Sequence, residues 1–426
     1  MDLKSLAIYQ RIVKSPFIIS FVLFLGVMGP GIITANVCND AGGITTFSLG
    51  GSTFGYSILW LFVPCFVILA LIQEMGVRLG VVTKKGLIDL IRQKMGIRIT
   101  LFLVVVLVLC NFGNILGEFS GIAVSAGIFN VPLFFALPVA ALSIWLLIVK
   151  GNYKKVEHVF LVGSAIYITY IASAILAGPN WGLAAKSLVV PHLSSNITYI
   201  AMVVGVIGAS ISPWQMFYLQ GAVVEKEVSL KNLKYSKLDA IGGALAESVI
   251  GFFIVLACAV TIFTHGIPVN NVVDISKALI PLAGNYASIL FAFGFLNASI
   301  LSASIVPLAT AYLVCEGLGV ESGVNKSFRE APIFHGLYLG LISLACIIIL
   351  IPNAPLLLIL YFSQVINGMV IPFCLIFMLL IINDKKIMGK YVNSKLYNYV
   401  AGATVIVVIA LTIFLLITYL LPHYSN

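Results

Sequence analysis

Asn39-Asp40-Ala41-Gly42-Gly43 and Gly208-Ala209-Ser210-Ile211-Ser212-Pro213 are polar, glycine-bearing interruptions inside two long apolar runs of the chain. The first lies in a run from Phe17 to Gly51 that also holds Gly29-Pro30-Gly31. A straight helix of that length overshoots a hydrocarbon core about 30 Å thick, and a Gly pair after an Asp favours unwinding at that point. In the second, Pro213 has no N–H, so the carbonyl of Ala209, one helical turn earlier, loses its partner. An unsatisfied carbonyl at membrane depth is tolerated only beside a cavity or a polar ligand. Breaks in a first and a sixth span are the pattern expected of two inverted five-helix repeats with a binding site between them.

The rest of the chain agrees with a membrane setting. Of 426 residues, 61% are hydrophobic and 9% charged, against about 25% charged in a soluble domain. At about 20 residues per crossing the length allows about ten to twelve transmembrane helices. The apolar runs predict about eleven: Phe17 to Gly51, Tyr56 to Gly80, Thr100 to Ile128, Pro132 to Val149, Val156 to Leu176, Ile197 to Val224, Ala240 to Phe263, Tyr286 to Val314, Pro332 to Ile351, Ala354 to Ile382 and Val400 to Leu421. The expected architecture is a single all-α polytopic membrane domain. Residues 17–176 form the first five-helix repeat, 197–382 the second, inverted one, and 400–421 an extra C-terminal helix.

Charge sets the orientation. With loops assigned alternately to the two sides, Lys186 and Lys277 are the only members of the 24 Lys and Arg that fall outside, a bias that places the N-terminus in the cytoplasm and the C-terminus outside a plasma membrane. The basic start, with Lys4, Arg11 and Lys14, leads into apolar residues without an A-x-A cleavage site and reads as a retained cytoplasmic segment. The net charge of +9 therefore reflects membrane topology and argues against nucleic acid as a partner. The seven cysteines, Cys38, Cys65, Cys110, Cys258, Cys315, Cys346 and Cys374, form no C-x-x-C pair and read as small buried hydrophobes. His158, His192, His265, His335 and His423 fall near span ends or in loops, which disfavours haem or a His-rich metal centre.

The breaks also indicate a ligand. Half-helix C-terminal ends present carbonyls with partial negative charge, and Asp40 adds a full one where a lone carboxylate is costly, so the complementary ligand is a cation. Two readings of Asp40 stand side by side: an ion ligand, or a structural N-cap of the second half-helix.

Several motifs give the chain a family resemblance. Gly29-Pro30-Gly31, Asp40-Ala41-Gly42-Gly43, Phe54-Gly55-Tyr56-Ser57-Ile58-Leu59-Trp60 and Arg78-Leu79-Gly80-Val81-Val82-Thr83 resemble the opening of Nramp-type divalent metal transporters. Those proteins read G-P-G, D-P-G-N, F-G-Y-x-L-L-W and R-L-G-x-V-T. The resemblance continues through Leu116-Gly117-Glu118-Phe119, through Gly208-Ala209 with Pro213, and through Ser363-Gln364-Val365 with Pro372-Phe373 and Met388-Gly389. It implies the inverted-repeat fold and transport of Mn²⁺ or Fe²⁺, usually with protons. It also implies a metal site at Val37, Asp40, Gly43, Ala209, Ser212 and Gln364, with Glu118 as a proton or vestibule group.

The departures from the family fall at that site. Ala41 and Gly43 stand where the tetrad has Pro and the metal-binding Asn, and Ser212 and Trp214 stand where span six has Met and His. A thioether helps select transition metals, whereas carboxylate, carbonyl, hydroxyl and water suit hard cations, and Gly43 leaves volume for the waters that Mg²⁺ keeps. These features resemble the Nramp-related magnesium transporter branch, although Cys38 is a soft atom near the first break. The proton route is also altered: Trp214 cannot titrate, and Ile115 replaces one of two span-three acids, leaving Glu118 to relay protons or to pair with a helical neighbour. Glu74 and Glu247 are further intramembrane acids, read as vestibule-lining or structurally hydrogen-bonded.

Three function classes follow. The first is an alternating-access carrier of divalent cations, Mg²⁺ and Mn²⁺, with weak or no proton coupling. It takes the metal as substrate, the bilayer as surroundings, no cofactor and no obligate protein partner; its close variant is the ordinary proton-coupled Mn²⁺/Fe²⁺ symporter. The second is an amino-acid carrier of the same fold, whose substrate carboxylate would face half-helix N-termini. The third, a membrane-embedded enzyme, lacks H-E-x-x-H and G-x-S-x-G, and no nucleotide-binding motif supports an ATP-driven pump.

Overall fold

The computed structural model describes residues 37, 39–149, 167–324 and 326–420, and these contain helices, turns and coil but no strand. The N-terminal half of the first expected span, with Gly29-Pro30-Gly31, lies outside the described residues, as do Cys38, His158, His423 and the start of the fifth span.

Helix α1 (Ala41–Phe54) begins where Asp40 caps it and stops at Gly55, whose φ of +57° only glycine adopts freely. A Cβ there would also strike the Phe263 ring at 2.8 Å. A 3-10 segment, Gly55–Leu61, leads into α2 (Phe62–Thr83). It is pinned to residues further along the chain by Tyr199, whose hydroxyl accepts from Trp60 Nε1 at 3.0 Å and donates to the Ser57 and His192 carbonyls. A short amphipathic α3 (Leu87–Met95) precedes α4 (Ile97–Ile128), followed by α5 (Leu133–Val149), α6 (Ile168–Leu176) and α7 (Trp181–Val189). In the second half come α8 (Ile197–Ser210), α9 (Pro213–Glu225) and α10 (Leu233–Cys258), the last running on as a π turn over Ala259–Phe263. Then follow α11 (Ala287–Leu318), α12 (Pro332–Ile349), α13 (Leu356–Ile382) and α14 (Lys395–Leu420).

Helix α1 is central: it packs on α10, α13, α8, α4 and α11. Leu109, Phe134, Phe293 and Ile406 lie on the outside, more than half exposed. Such residues are unfavourable in water but at no disadvantage against lipid tails. Eight helical stretches among the described residues are long and apolar enough to cross a membrane, and Leu133–Ile148 is an apolar helix of shorter length. One of the eight, Ala41–Thr83, joins the second half of the first expected span to the second span. The protein is thus an all-helical, multi-pass membrane protein.

The structure corrects several boundaries. The seventh span starts at Leu233 rather than Ala240 and the last at Lys395 rather than Val400, because helices continue past the point where charged side chains end the apolar run. Arg78, near the end of the second expected span, lies inside α2 and is 7% exposed. Its guanidinium meets Glu74 at 2.9 Å, Asn393 Oδ1 at 2.5 Å and the Tyr391 and Val392 carbonyls, while Lys237 of α10 meets Glu74 at 2.6 Å. Glu74 is therefore a structural ion-pair partner that ties α2, α10 and the segment before α14 together. Nearby, Lys94 Nζ lies 2.6 Å from Asp384 and, by this bond, holds that carboxyl below its usual range.

Candidate functional site

Gly42 and Gly43, expected to be unwound, are the first-turn residues of α1, and the non-helical segment ends at Asp40. The cause is the cap: Asp40 Oδ1 accepts the Gly43 N–H at 2.5 Å, satisfying one of the donors that a helix start leaves free. Gly43 thus contributes a backbone donor to the carboxylate. Gly42 is required for closeness, since a Cβ there would stand 2.1 Å from Gln364 Nε2 and 3.3 Å from Asp40 Oδ1. The Gln364 amide therefore lies over the first turn of α1, beside Asp40. Tyr167 anchors the same corner by donating to the Asn39 carbonyl at 2.8 Å.

The sixth span is fully divided. Helix α8 ends at Ser210, Ile211 and Ser212 have extended or irregular backbone, and Pro213 opens α9 at the position where a missing N–H costs least. Ala209 is buried in the last turn of α8, and Pro213 cannot return an N–H to its carbonyl. Ser212 occupies the N-cap position of α9 without capping it; its hydroxyl instead donates to the Gly208 carbonyl at 3.0 Å.

Buried amides join the two breaks. Asn367 Nδ2 lies 3.2 Å from Ser212 Oγ, 2.9 Å from Gln364 Oε1 and 2.9 Å from Asn114 Oδ1, and Asn114 Nδ2 returns a bond of 2.9 Å to Asn367 Oδ1. Cys110 Sγ stands behind, 3.1 Å from Asn367 Oδ1. Of the expected site residues, Ser212 and Gln364 are thus linked through Asn367, and Asp40 lies beside Gln364. Asn114 and Asn367 are members that sequence reading missed. Their signal was present, because an amide inside an apolar run, one turn before Glu118 and one turn after Gln364, needs a buried partner.

Glu118 is completely buried in α4. Its Oε2 accepts the Ala41 N–H at a long 3.4 Å, its carboxyl lies beside that of Asp40, and its Oε1 has no hydrogen-bond partner. Among the described residues no Lys, Arg or His forms an ion pair with either acid. Two neighbouring carboxyls in a low-dielectric interior without a counter-charge form a place that favours a cation.

The Val37 side chain belongs to an apolar cluster with Ile115, Phe119 and Trp214. The two residues that replace titratable groups of the family pattern, Trp214 and Ile115, thus share one packed hydrocarbon environment. Trp214 is completely buried, and its Nε1 has no partner. No group of three or more His, Cys, Asp or Glu side chains gathers among the described residues, and the six described cysteines are buried and free.

The sequence and the fold have counterparts. The divalent metal cation transporter MntH of Staphylococcus haemolyticus is 28% identical over 427 residues, covering 92% of each chain. The protein of the same name from Latilactobacillus sakei is 26% identical over 411 residues, covering 92% of this chain and 88% of its own. In fold, the crystal structure of the Eremococcus coleocola manganese transporter superposes with a TM-score of 0.80 at 20% identity, covering 94% of this chain and 89% of that one. These relatives are named as transporters of metals, and none of them as an enzyme. The model of the Nramp family, described as natural resistance-associated macrophage protein-like, matches residues 31–418, and the chain belongs to that family.

Proposed function

We propose that this protein is a secondary transporter of divalent metal cations that works by alternating access in the plasma membrane, with the N-terminus cytoplasmic and the C-terminus outside. Residues 17–176 and 197–382 act as the two inverted repeats, and 400–421 adds a helix outside them. The observation that carries this reading is the pair of carboxyls, Asp40 and Glu118, lying without a counter-ion among the described residues and beside the Gln364 amide that Asn367 links to Ser212. A divalent cation supplies the missing charge, and the carboxylate of Asp40, the carbonyl of Ala209, the hydroxyl of Ser212 and the amide oxygen of Gln364 supply its ligands.

That donor set is hard, so the substrates are Mg²⁺ and Mn²⁺. In proteoliposomes, millimolar Mg²⁺ is expected to be taken up and to compete with Mn²⁺. Ser212→Met, which brings in a thioether, should raise the preference for Mn²⁺ over Mg²⁺ on the order of tenfold, about 1.4 kcal/mol. Failure of Mg²⁺ to compete would return the protein to the ordinary manganese and iron group.

Proton movement accompanying the metal is expected to be weak or nil. A coupled carrier needs a titrating group free to exchange its proton during the cycle. Trp214 and Ile115 stand as packed apolar side chains where the family pattern has titratable groups, and a bound 2+ ion keeps Asp40 ionised. Glu118, with one free oxygen, favours the second reading, a proton-coupled symporter. An internal pH indicator separates the two: an inward proton flux that scales with metal flux and disappears in Glu118→Gln would establish coupling and overturn the first reading.

A further inference from the structure

Glu247 is an intramembrane acid that takes no part in the site above. It lies in α10 and is completely buried. Oε2 accepts the Ser248 hydroxyl at 2.9 Å, whereas Oε1 has no hydrogen-bond partner. Facing it is the C-terminal residue of α8, Ser210, whose Oγ is also buried and without a hydrogen bond. Gln215, in the first turn of α9, donates Nε2 to the Ser210 carbonyl at 3.4 Å and leaves its Oε1 unpartnered. Three buried acceptor oxygens, Glu247 Oε1, Ser210 Oγ and Gln215 Oε1, are thus unsatisfied around the back of the break in span six, although buried polar atoms ordinarily find partners.

Among the described residues the other groups around Glu247 supply no positive charge. From α2, Cys65 stands beside the carboxyl, while Glu74 and Arg78 pair with each other. Helix α1 carries no titratable side chain, and the one on α8 is Tyr199, engaged with Trp60 and Ser57. On α6, Tyr170 lies beside Cys258, further along α10. In the short segments packed on α10, Tyr56 accepts from the Asn180 N–H, Asp274 pairs with Lys277, and Lys231 is exposed. On α10 itself, Lys237 is committed to Glu74. An isolated carboxylate in this setting is costly by several kcal/mol, and one positive charge removes that cost. A divalent ion would leave an excess charge in the membrane interior.

We propose that Glu247, Ser210 and Gln215 form a second cation site, for a single positive charge carried by a proton or Na⁺, linked to the metal site through the non-helical residues Ile211 and Ser212. A proton on Oε1 would be donated to Ser210 Oγ; Na⁺ would be held by Oε1, Ser210 Oγ and Gln215 Oε1. Because Ser210 faces one site and Ser212, two positions on, the other, any rearrangement of the break on metal release changes both. Thermodynamic linkage then makes metal affinity depend on the monovalent cation. The proposal needs no net movement of that cation with the metal.

The test uses the full chain in proteoliposomes with Mn²⁺ as the transported probe. One arm varies pH at constant Na⁺; the other replaces Na⁺ by choline at constant pH. The half-saturating Mn²⁺ concentration is expected to shift about fivefold or more, the lower range for linked sites, in the pH arm if the ligand is a proton and in the choline arm if it is Na⁺. Glu247→Gln should remove that shift, whereas a shift arising at Asp40 and Glu118 would persist in this variant. Ser210→Ala, which deletes one hydroxyl, should reduce the shift and carries the test should Glu247→Gln fail to assemble. A wild-type protein indifferent to both arms, or a shift undiminished in Glu247→Gln or in Ser210→Ala, would overturn the proposal.

Discussion

Asp40→Ala is expected to abolish saturable metal uptake. Asp40 supplies a full negative charge at the break that begins α1, and truncating a buried charged partner of an ion costs about 3 kcal/mol, on the order of a hundredfold in affinity. The same substitution removes the N-cap bond to Gly43, a loss of about 1 kcal/mol in stability, which alone would lower yield without touching affinity. Asp40→Asn separates the two roles, because its side-chain oxygen still caps the helix while the charge is gone. Uptake should fail in both variants, whereas the thermal unfolding midpoint should drop mainly in Asp40→Ala. Normal saturable uptake by Asp40→Asn would show that Asp40 is a cap and that the metal is held elsewhere.

Gly208→Ala should be nearly as damaging, through packing rather than charge. A Cβ on Gly208 would lie 1.9 Å from the Gln364 carbonyl oxygen and 2.4 Å from the Gly368 nitrogen. Both are backbone atoms of α13 that cannot swing aside, so α8 and α13 must separate by about 1 Å to restore van der Waals distances. Overpacking of this kind costs about 1–3 kcal/mol. It also moves Gln364 away from Asp40, and uptake should fall at least about tenfold, as displacements of this size do at preorganised sites. Gly336→Ala, where the added methyl meets nothing within 4 Å, is the control and should unfold and transport as the wild type does. Equal behaviour of the two variants in uptake and thermal unfolding would mean that the α8–α13 crossing does not hold the site.

The membrane class, the positions of most spans and the two breaks were legible in the sequence because each is a local property. An apolar run of about 20 residues needs no partner to be recognised, and Pro213 lacks its N–H whatever surrounds it. The Nramp motifs were legible for the same reason, as fixed residues at fixed spacing. The Gly42-Gly43 pair shows where local reasoning failed. Its backbone preference favours unwinding, but the Asp40 cap and the close approach of Gln364 make it the first turn of a helix. The burial of Arg78 was not legible either, because its partners Tyr391 and Asn393 stand 313 and 315 positions away in the chain.

Tertiary structure alone decided which polar side chains meet. Asn114 and Asn367 are 253 positions apart and exchange hydrogen bonds, and only the packing of α4 against α13 makes them neighbours of Ser212. In the same way Trp214 and Ile115 become one apolar cluster, and Ser210 comes to face Glu247. An apolar run records that a helix enters the membrane, but lipid-facing and helix-facing positions are both apolar, so the run carries little information about which neighbour it will touch. The pairing of buried polar groups is set instead by the close crossings of helices far apart in the chain.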